Sequence, residues 1–183
     1  NYADALAGVP YAYQQKAPIL LSRTDDLNEG TRAEITRLGA KKVVILGGEN
    51  AISAKIAGEL KAAGLTVDRI SGSDRFETAA KIASNMEASD KVVIANGMNF
   101  PDALSVAAHD AKTGLPILLT QSDKLPAKTL EALEALGVTE TIVVGGKTVV
   151  SEKVVAQLPN PTTLSGTDRY ETNITVAEHF GVT

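Results

Sequence analysis

Lys91-Val-Val-Ile-Ala-Asn-Gly-Met-Asn-Phe-Pro-Asp-Ala-Leu104 is an apolar run of strand length, then an Asn-Gly turn, then a proline placed where helices begin. Working outward, Asp68–Ser71, Leu115–Thr120 and Thr141–Val144 are further strand-length runs. Between them Arg75–Asn85, Pro101–Lys112, Pro126–Leu136 and Ser151–Leu158 carry helical spacing. Phe76, Ala79, Ala80 and Ala83 share one helix face, and Leu130, Leu133 and Leu136 another. Strands apolar throughout and alternating with helices predict an α/β fold, a parallel sheet covered by helices on both sides.

The chain also repeats. Asn1-Tyr-Ala-Asp-Ala-Leu6 returns as Asn99-Phe-Pro-Asp-Ala-Leu104, and Pro18-Ile-Leu-Leu21 returns unchanged as Pro116-Ile-Leu-Leu119, both at a shift of 98. Gly47-Gly48 returns as Gly145-Gly146 and Ser53 as Ser151 in the same register. Ser71-Gly-Ser-Asp-Arg-Phe-Glu-Thr78 returns as Ser165-Gly-Thr-Asp-Arg-Tyr-Glu-Thr172 at a shift of 94, so four residues are lost between Lys153 and Pro161. A period of 94–98 residues is domain-sized rather than that of a solenoid. Each unit then forms a three-layer, flavodoxin- or Rossmann-like sandwich. Cut at the Ser-Gly-x-Asp-Arg motif, the chain holds the later part of one unit (1–68), a complete unit (69–161) and the start of a third (162–183). The first unit lacks a counterpart of the strand near Lys91–Gly97, and 162–183 is expected to pack against 1–68, in the same chain or by exchange with a neighbour.

At 183 residues with 44% hydrophobic and 22% charged residues, the composition is that of a globular chain able to bury a core. No apolar run approaches the roughly 18 residues of a membrane span. A net charge of −4 and a pI near 5.2 argue against nucleic acid as a partner. An anionic polymer remains possible through a few local arginines. The absence of cysteine removes disulfides, thiol catalysis and thiolate metal sites. A chain that starts at Asn1, with no charged start and apolar stretch, reads as a fragment of a longer protein.

The repeated polar positions follow strands, where open parallel sheets keep their ligand crevices. Asp74 with Glu77, and Asp168 with Glu171, have capping-box spacing, so capping alone accounts for them. Arg75 and Arg169 are not explained by capping; a guanidinium at a helix start suits carboxylate or phosphate recognition, or an ion pair with a neighbouring unit. Asn99 and its counterpart Asn1 could offer an amide to hydroxyls or carbonyls, and Asp102 with its counterpart Asp4 sits where an acid opposes the helix dipole. Gly47-Gly48 and Gly145-Gly146 continue into neither phosphate-loop pattern and read as tight turns. Pro18, Ile19, Leu20 and Leu21, with Pro116, Ile117, Leu118 and Leu119, read as core strands or as strands at contacts between units. His109 and His179 do not align across the repeat, so a repeated active site has no repeated base. No metal or cofactor motif occurs, and the chain is read as no enzyme.

Taken together, Ser71–Thr78, Asn99–Leu104, Pro116–Thr120 and Val143-Val144-Gly145-Gly146 through Ser151 closely resemble the type 2 cell-wall-binding repeat (cell wall binding repeat 2) over essentially the whole chain. The resemblance implies a noncatalytic module, usually in tandem threes around a pseudo-threefold axis. Such modules hold secreted Gram-positive surface proteins, including autolytic amidases and S-layer-associated proteins, to anionic wall polymers such as teichoic acid or another secondary wall glycan. It makes Pro18–Leu21 and Pro116–Leu119 interface candidates, and Arg75, Arg169, Asn99 and Asp102 groove candidates. The chain departs from the repeat in having Ala3 opposite Pro101, and Asn173-Ile174 opposite Ala79-Ala80. The alternative readings are a structural or docking module that self-associates or recruits a wall amidase, and a nucleotide-binding or hydrolytic α/β enzyme.

Overall fold

A strand whose side chains are all apolar must be covered on both faces, and Val92, Val93, Ile94 and Ala95 are completely buried. The computed structural model describes residues 2–99 and 101–181, without the side chains of Pro101, Asp102, Ala108, Asp110 and Ala111. In chain order its elements are α1 (Tyr2–Ala7), α2 (Val9–Gln14), α3 (Glu29–Arg37), β1 (Lys42–Leu46), α4 (Ala54–Ala62), β2 (Thr66–Ile70), α5 (Arg75–Ser84) and β3 (Lys91–Asn96). There follow α6 (Pro101–Thr113), β4 (Ile117–Thr120), α7 (Ala127–Ala135), β5 (Glu140–Val144), α8 (Glu152–Val155), β6 (Pro161–Leu164) and α9 (Arg169–His179).

All strand pairs are parallel, in a two-stranded sheet β1-β2 and a four-stranded sheet β4-β3-β5-β6. The α/β class read from the sequence is therefore the observed one. Alternate residues of the larger sheet serve opposite faces. Val93, Ala95, Leu119 and Val144 join Ala3, Ala7, Val106 and Val176 in one cluster, whereas Val92, Ile94, Leu118 and Val143 join Leu133 and Val154 in another. Each fully buried Val, Leu or Ile contributes about 1.5–3 kcal/mol. The first cluster also takes in Ile70 of β2, with Val44 and Leu46 of β1 packed against it, so α1 and α6 are shared between the two sheets.

Several boundaries differ from the expected ones. The run expected at Asp68–Ser71 is β2, Thr66–Ile70, and it pairs with β1. The strand before the Ser-Gly-x-Asp-Arg motif thus closes the preceding sheet, and the hand-over between units falls in the turn after it. The same rule governs the C-terminal segment. Expected against 1–68, it instead runs β6 beside β5 and lays α9 on α6 and β6. The helix expected over Ser151–Leu158 stops at Val155, and Gln157 and Leu158 close with tighter i→i+3 bonds, where the repeat has lost its four residues.

Pro116–Leu119 is buried and contributes to β4, but Pro18–Leu21 forms no strand, and Leu21 is 75% exposed. Its sheet neighbour would be a counterpart of β3, which the first unit lacks. The single helix α6 corresponds to two helices in the first unit, α1 and α2, separated at Gly8 with Pro10 two residues on, a residue that cannot donate within a helix.

Candidate functional site

The repeated turn is built by its own side chains. Asp74 caps α5 by accepting the Glu77 N–H at 2.8 Å, and the Glu77 carboxylate reaches back to accept the Ser73 N–H at 2.6 Å. The buried Thr78 hydroxyl donates to the Asp74 carbonyl at 2.8 Å and accepts the Gly72 N–H at 3.0 Å. These bonds recur at Asp168, Glu171, Thr172 and Gly166, with 2.9 Å from the Glu171 N–H to Asp168 and 2.6 Å from the Thr167 N–H to Glu171. The backbone and side-chain bonds from Ser73, reinforced by Lys81, hold the Glu77 carboxyl down at about 2. A Cβ at Gly72 would lie 2.7 Å from the Glu77 carbonyl carbon, so only glycine lets the turn close. Capping thus accounts for every repeated polar position of the motif except its arginine.

Arg75 points away from this network. Its Nη1 donates to the Gly97 carbonyl at 2.6 Å and lies 3.4 Å from the Tyr2 hydroxyl, with the guanidinium 5.8 Å from the Tyr2 ring centre. Tyr2 in turn donates to the Met98 carbonyl at 3.1 Å. Three segments meet here: the start of α1, the start of α5 and the turn after β3. That turn stands at the switch point of the larger sheet, because β3 is flanked by β4 on one side and β5 on the other. Asn96 fixes it: its amide donates to the Ser122 hydroxyl at 2.9 Å and the Val149 carbonyl at 2.6 Å, while its oxygen accepts the Met98 N–H at 2.7 Å. One buried side chain therefore ties together the turns after β3, β4 and β5.

Of the residues singled out in the sequence, Arg75 is half-buried at this junction and Asn99 is exposed beside it. Asp4 is buried under the turn after β1, where a Cβ at Gly47 would come within 2.8 Å of its Oδ2. Burial pushes the Asp4 carboxyl up from its ordinary value, with the Arg75 charge pulling the other way. Arg169 is exposed at the start of α9, one junction further on, and does not share a site with Arg75. Asn1 and the Asp102 side chain lie outside the described residues. Tyr2 and Asn96 carry the junction although neither stands out in the sequence. In Tyr2 the only signal is a hydroxyl where the aligned residue is Phe100, and in Asn96 it is an amide ending an apolar strand.

His109 stacks on Phe180 at 5.3 Å between ring centres, and His179 meets the same ring edge-on, so both belong to the seam between α6 and α9. Among the described residues no cluster of His, Asp or Glu is arranged to hold a metal ion, and no helix is long and apolar enough to cross a membrane.

Residues 1–57 and 69–155 match the family Cell wall binding domain 2 (CWB2). The chain belongs to the CWB2 family. It is 40% identical over 171 residues to the N-acetylmuramoyl-L-alanine amidase LytC of Bacillus subtilis, covering 93% of this chain and 34% of that protein. It is 35% identical over 173 residues to the amidase enhancer of the same organism, covering 93% and 23% respectively. Among solved structures, Cwp6 from Clostridium difficile matches with a TM-score of 0.90 at 33% identity over 99% of this chain and 30% of that one. Cwp8 from the same organism matches at 0.85 and 35% identity over 95% and 31%. The chain thus spans about a third or less of these relatives. As a CWB2 domain it is a cell-wall-binding domain of the kind found in LytC and the Cwp proteins, associated with the cell surface.

Proposed function

We propose that this CWB2 chain is a non-catalytic module that anchors a secreted protein to an anionic wall polymer, a teichoic acid or a secondary wall polysaccharide. The observation that carries the reading is the arginine of the repeated turn. Its neighbours in the motif are consumed by capping, yet Arg169 stands exposed at the N-terminal end of an 11-residue helix. A guanidinium there presents a planar fork to phosphate or carboxylate, next to backbone N–H groups of the same polarity. Exposed Asn99 and Met98 beside the Arg75 junction supply a polar and an apolar contact for a sugar at the preceding turn. Each contact is weak, and a net charge of −4 opposes a polyanion. Affinity comes from successive units engaging one polymer, which raises the effective concentration at each later site.

The test is cosedimentation with Gram-positive cell walls before and after hydrofluoric-acid removal of phosphate-linked polymers, at low and high salt. Binding that disappears on stripping, weakens with salt and falls in Arg169→Ala supports the reading. Binding that survives stripping and ignores both salt and the variant overturns it in favour of a docking module. The exposed apolar residues Leu21, Tyr170 and Ile174 favour that second reading.

A further inference from the structure

The repeat lets one half of the molecule show what the other half is shaped to receive. In the second unit the outer strand β4 is covered by α5. Phe76, Ala79 and Ile82 join the cluster that holds Ile117 and Leu119, while Ala80 and Ala83 join the one that holds Leu118, Ala132 and Leu133. One shift of 98 earlier the receiving surface is present and the helix is not. Leu20 and Leu21, counterparts of the buried Leu118 and Leu119, are exposed. α3 buries no residue, whereas its counterpart α7 buries Thr129, Ala132 and Leu133. A cavity of about 250 Å³ opens between α3 and α4, lined in part by Leu27, Ile35, Ala40 and Leu60. Their counterparts Leu125, Leu133, Val138 and Leu158 all lie in the filled cluster of the second unit.

The other half of the contact stands at the far end of the chain. α9 is the counterpart of α5 at a shift of 94. Val176, matching Ile82, is buried, and Phe180 packs on the same cluster, so one side of α9 is satisfied by α6. The side that in α5 covers a strand faces outward. Tyr170 is 76% exposed where Phe76 is buried, and Ile174 is 57% exposed where Ala80 is buried.

We propose that α9 of one copy seats on the first unit of a second copy, along Leu20, Leu21 and α3, reproducing between molecules the contact that α5 makes within one. The occupant is a second copy because this chain carries both complementary halves, at opposite ends and with both faces outward. Ile174 is larger than the Ala80 it replaces, and the cavity lined by Ile35 and Leu60 gives the added carbons a place. The two patches are different surfaces, so the contact is head-to-tail and adds copies in series rather than closing a twofold dimer. The inference does not depend on the wall-polymer reading. A contact of one helix on one edge is small, which puts self-association in the weak regime, from roughly 10 µM to 1 mM.

Analytical ultracentrifugation across that range tests it. The weight-average mass is expected to climb above the 19.1 kDa of one chain. Ile174→Glu and Leu21→Glu are each expected to remain monomeric, with unchanged far-ultraviolet dichroism because both positions are exposed. An equimolar mixture of the two variants retains one intact head and one intact tail, and is expected to form a 1:1 dimer and nothing larger. Leu130→Glu, an exposed apolar position on α7 outside the contact, is expected to associate as the unaltered chain does. A chain that stays monomeric throughout overturns the proposal. So does association that survives either α9 or Leu21 substitution, a mixture that does not pair, or a Leu130→Glu variant that fails to associate.

Discussion

Replacing Arg75 by alanine separates the structural role of the motif's arginine from its chemical one, because Arg169 provides the same residue in the same turn without the same partners. In Arg75→Ala the Gly97 carbonyl loses a charge-assisted bond of 2.6 Å and is left buried, a loss of about 1.5–3 kcal/mol. The guanidinium also leaves the Tyr2 ring 5.8 Å away, worth roughly 0.5–1 kcal/mol at a partly exposed site. The two terms share one side chain and are not strictly additive, so the expected cost is about 2–4 kcal/mol. For a chain of this size that is a fall in Tm of roughly 5–15 °C. Arg169→Ala, at an exposed position, is expected to stay within about 0.5 kcal/mol of the unaltered chain. Urea unfolding and scanning calorimetry read both. Equal losses in the two variants, or an Arg75→Ala variant as stable as Arg169→Ala, would refute the argument that Arg75 closes the junction between units.

Three further outcomes follow from the same geometry. Glu77 has its carboxyl lowered to about 2 by the Ser73 bonds, so between pH 2 and an ordinary value of 4.5 the unfolded chain binds the extra proton. Its stabilisation is therefore complete above about pH 4.5 and lost as pH falls towards 2; Glu77→Gln should flatten that part of a stability–pH curve, while buried Asp4, shifted the opposite way, slopes against it. Gly72→Ala forces a Cβ to 2.7 Å from the Glu77 backbone and should cost about 1–3 kcal/mol, whereas Gly58→Ala meets nothing within 4 Å in the middle of α4 and should gain about 0.5–1 kcal/mol, both measurable by urea midpoints. Asn96→Ala strands the Val149 carbonyl and the Met98 N–H together and should cost about 2–4 kcal/mol, with the exchange protection of the turns after β3, β4 and β5 falling in concert.

The alternation of strand and helix was legible because each strand is apolar at every position, a pattern set by burial on two faces and visible without any partner. The capping residues Asp74 and Glu77 were legible for a similar reason, since their partners lie within four residues along the chain. Pairing was not. Nothing local distinguishes a strand that opens a unit from one that closes the previous unit, so Thr66–Ile70 and Pro161–Leu164 were assigned to the wrong neighbour by a cut at the motif. The identity of Pro18–Leu21 and Pro116–Leu119 misled in the same way. Equal sequences take unequal structures because strand formation depends on what lies alongside, and β3 lies beside only one of them. Tyr2 and Asn96 were missed because their partners are 96 and up to 53 residues away.

The position of the hand-over bears on how such a chain transmits load from a bound polymer. If each unit were a closed sandwich joined by a linker, the units would pivot independently and multivalent binding would lose effective concentration to that freedom. Here the turn between β2 and α5 is locked by four capping bonds, and α5 begins with an arginine bonded to the far end of the next sheet. α1, from the first unit, packs on α5, α6 and β4 of the second, so the core runs through the junction rather than stopping at it. Breaking the junction therefore exposes apolar surface as well as polar groups, and the two units should unfold in one transition. Arg75→Ala, which removes only the polar part, should split that transition in two before it abolishes either unit, and a single sharpened transition in the variant would count against a junction of this kind.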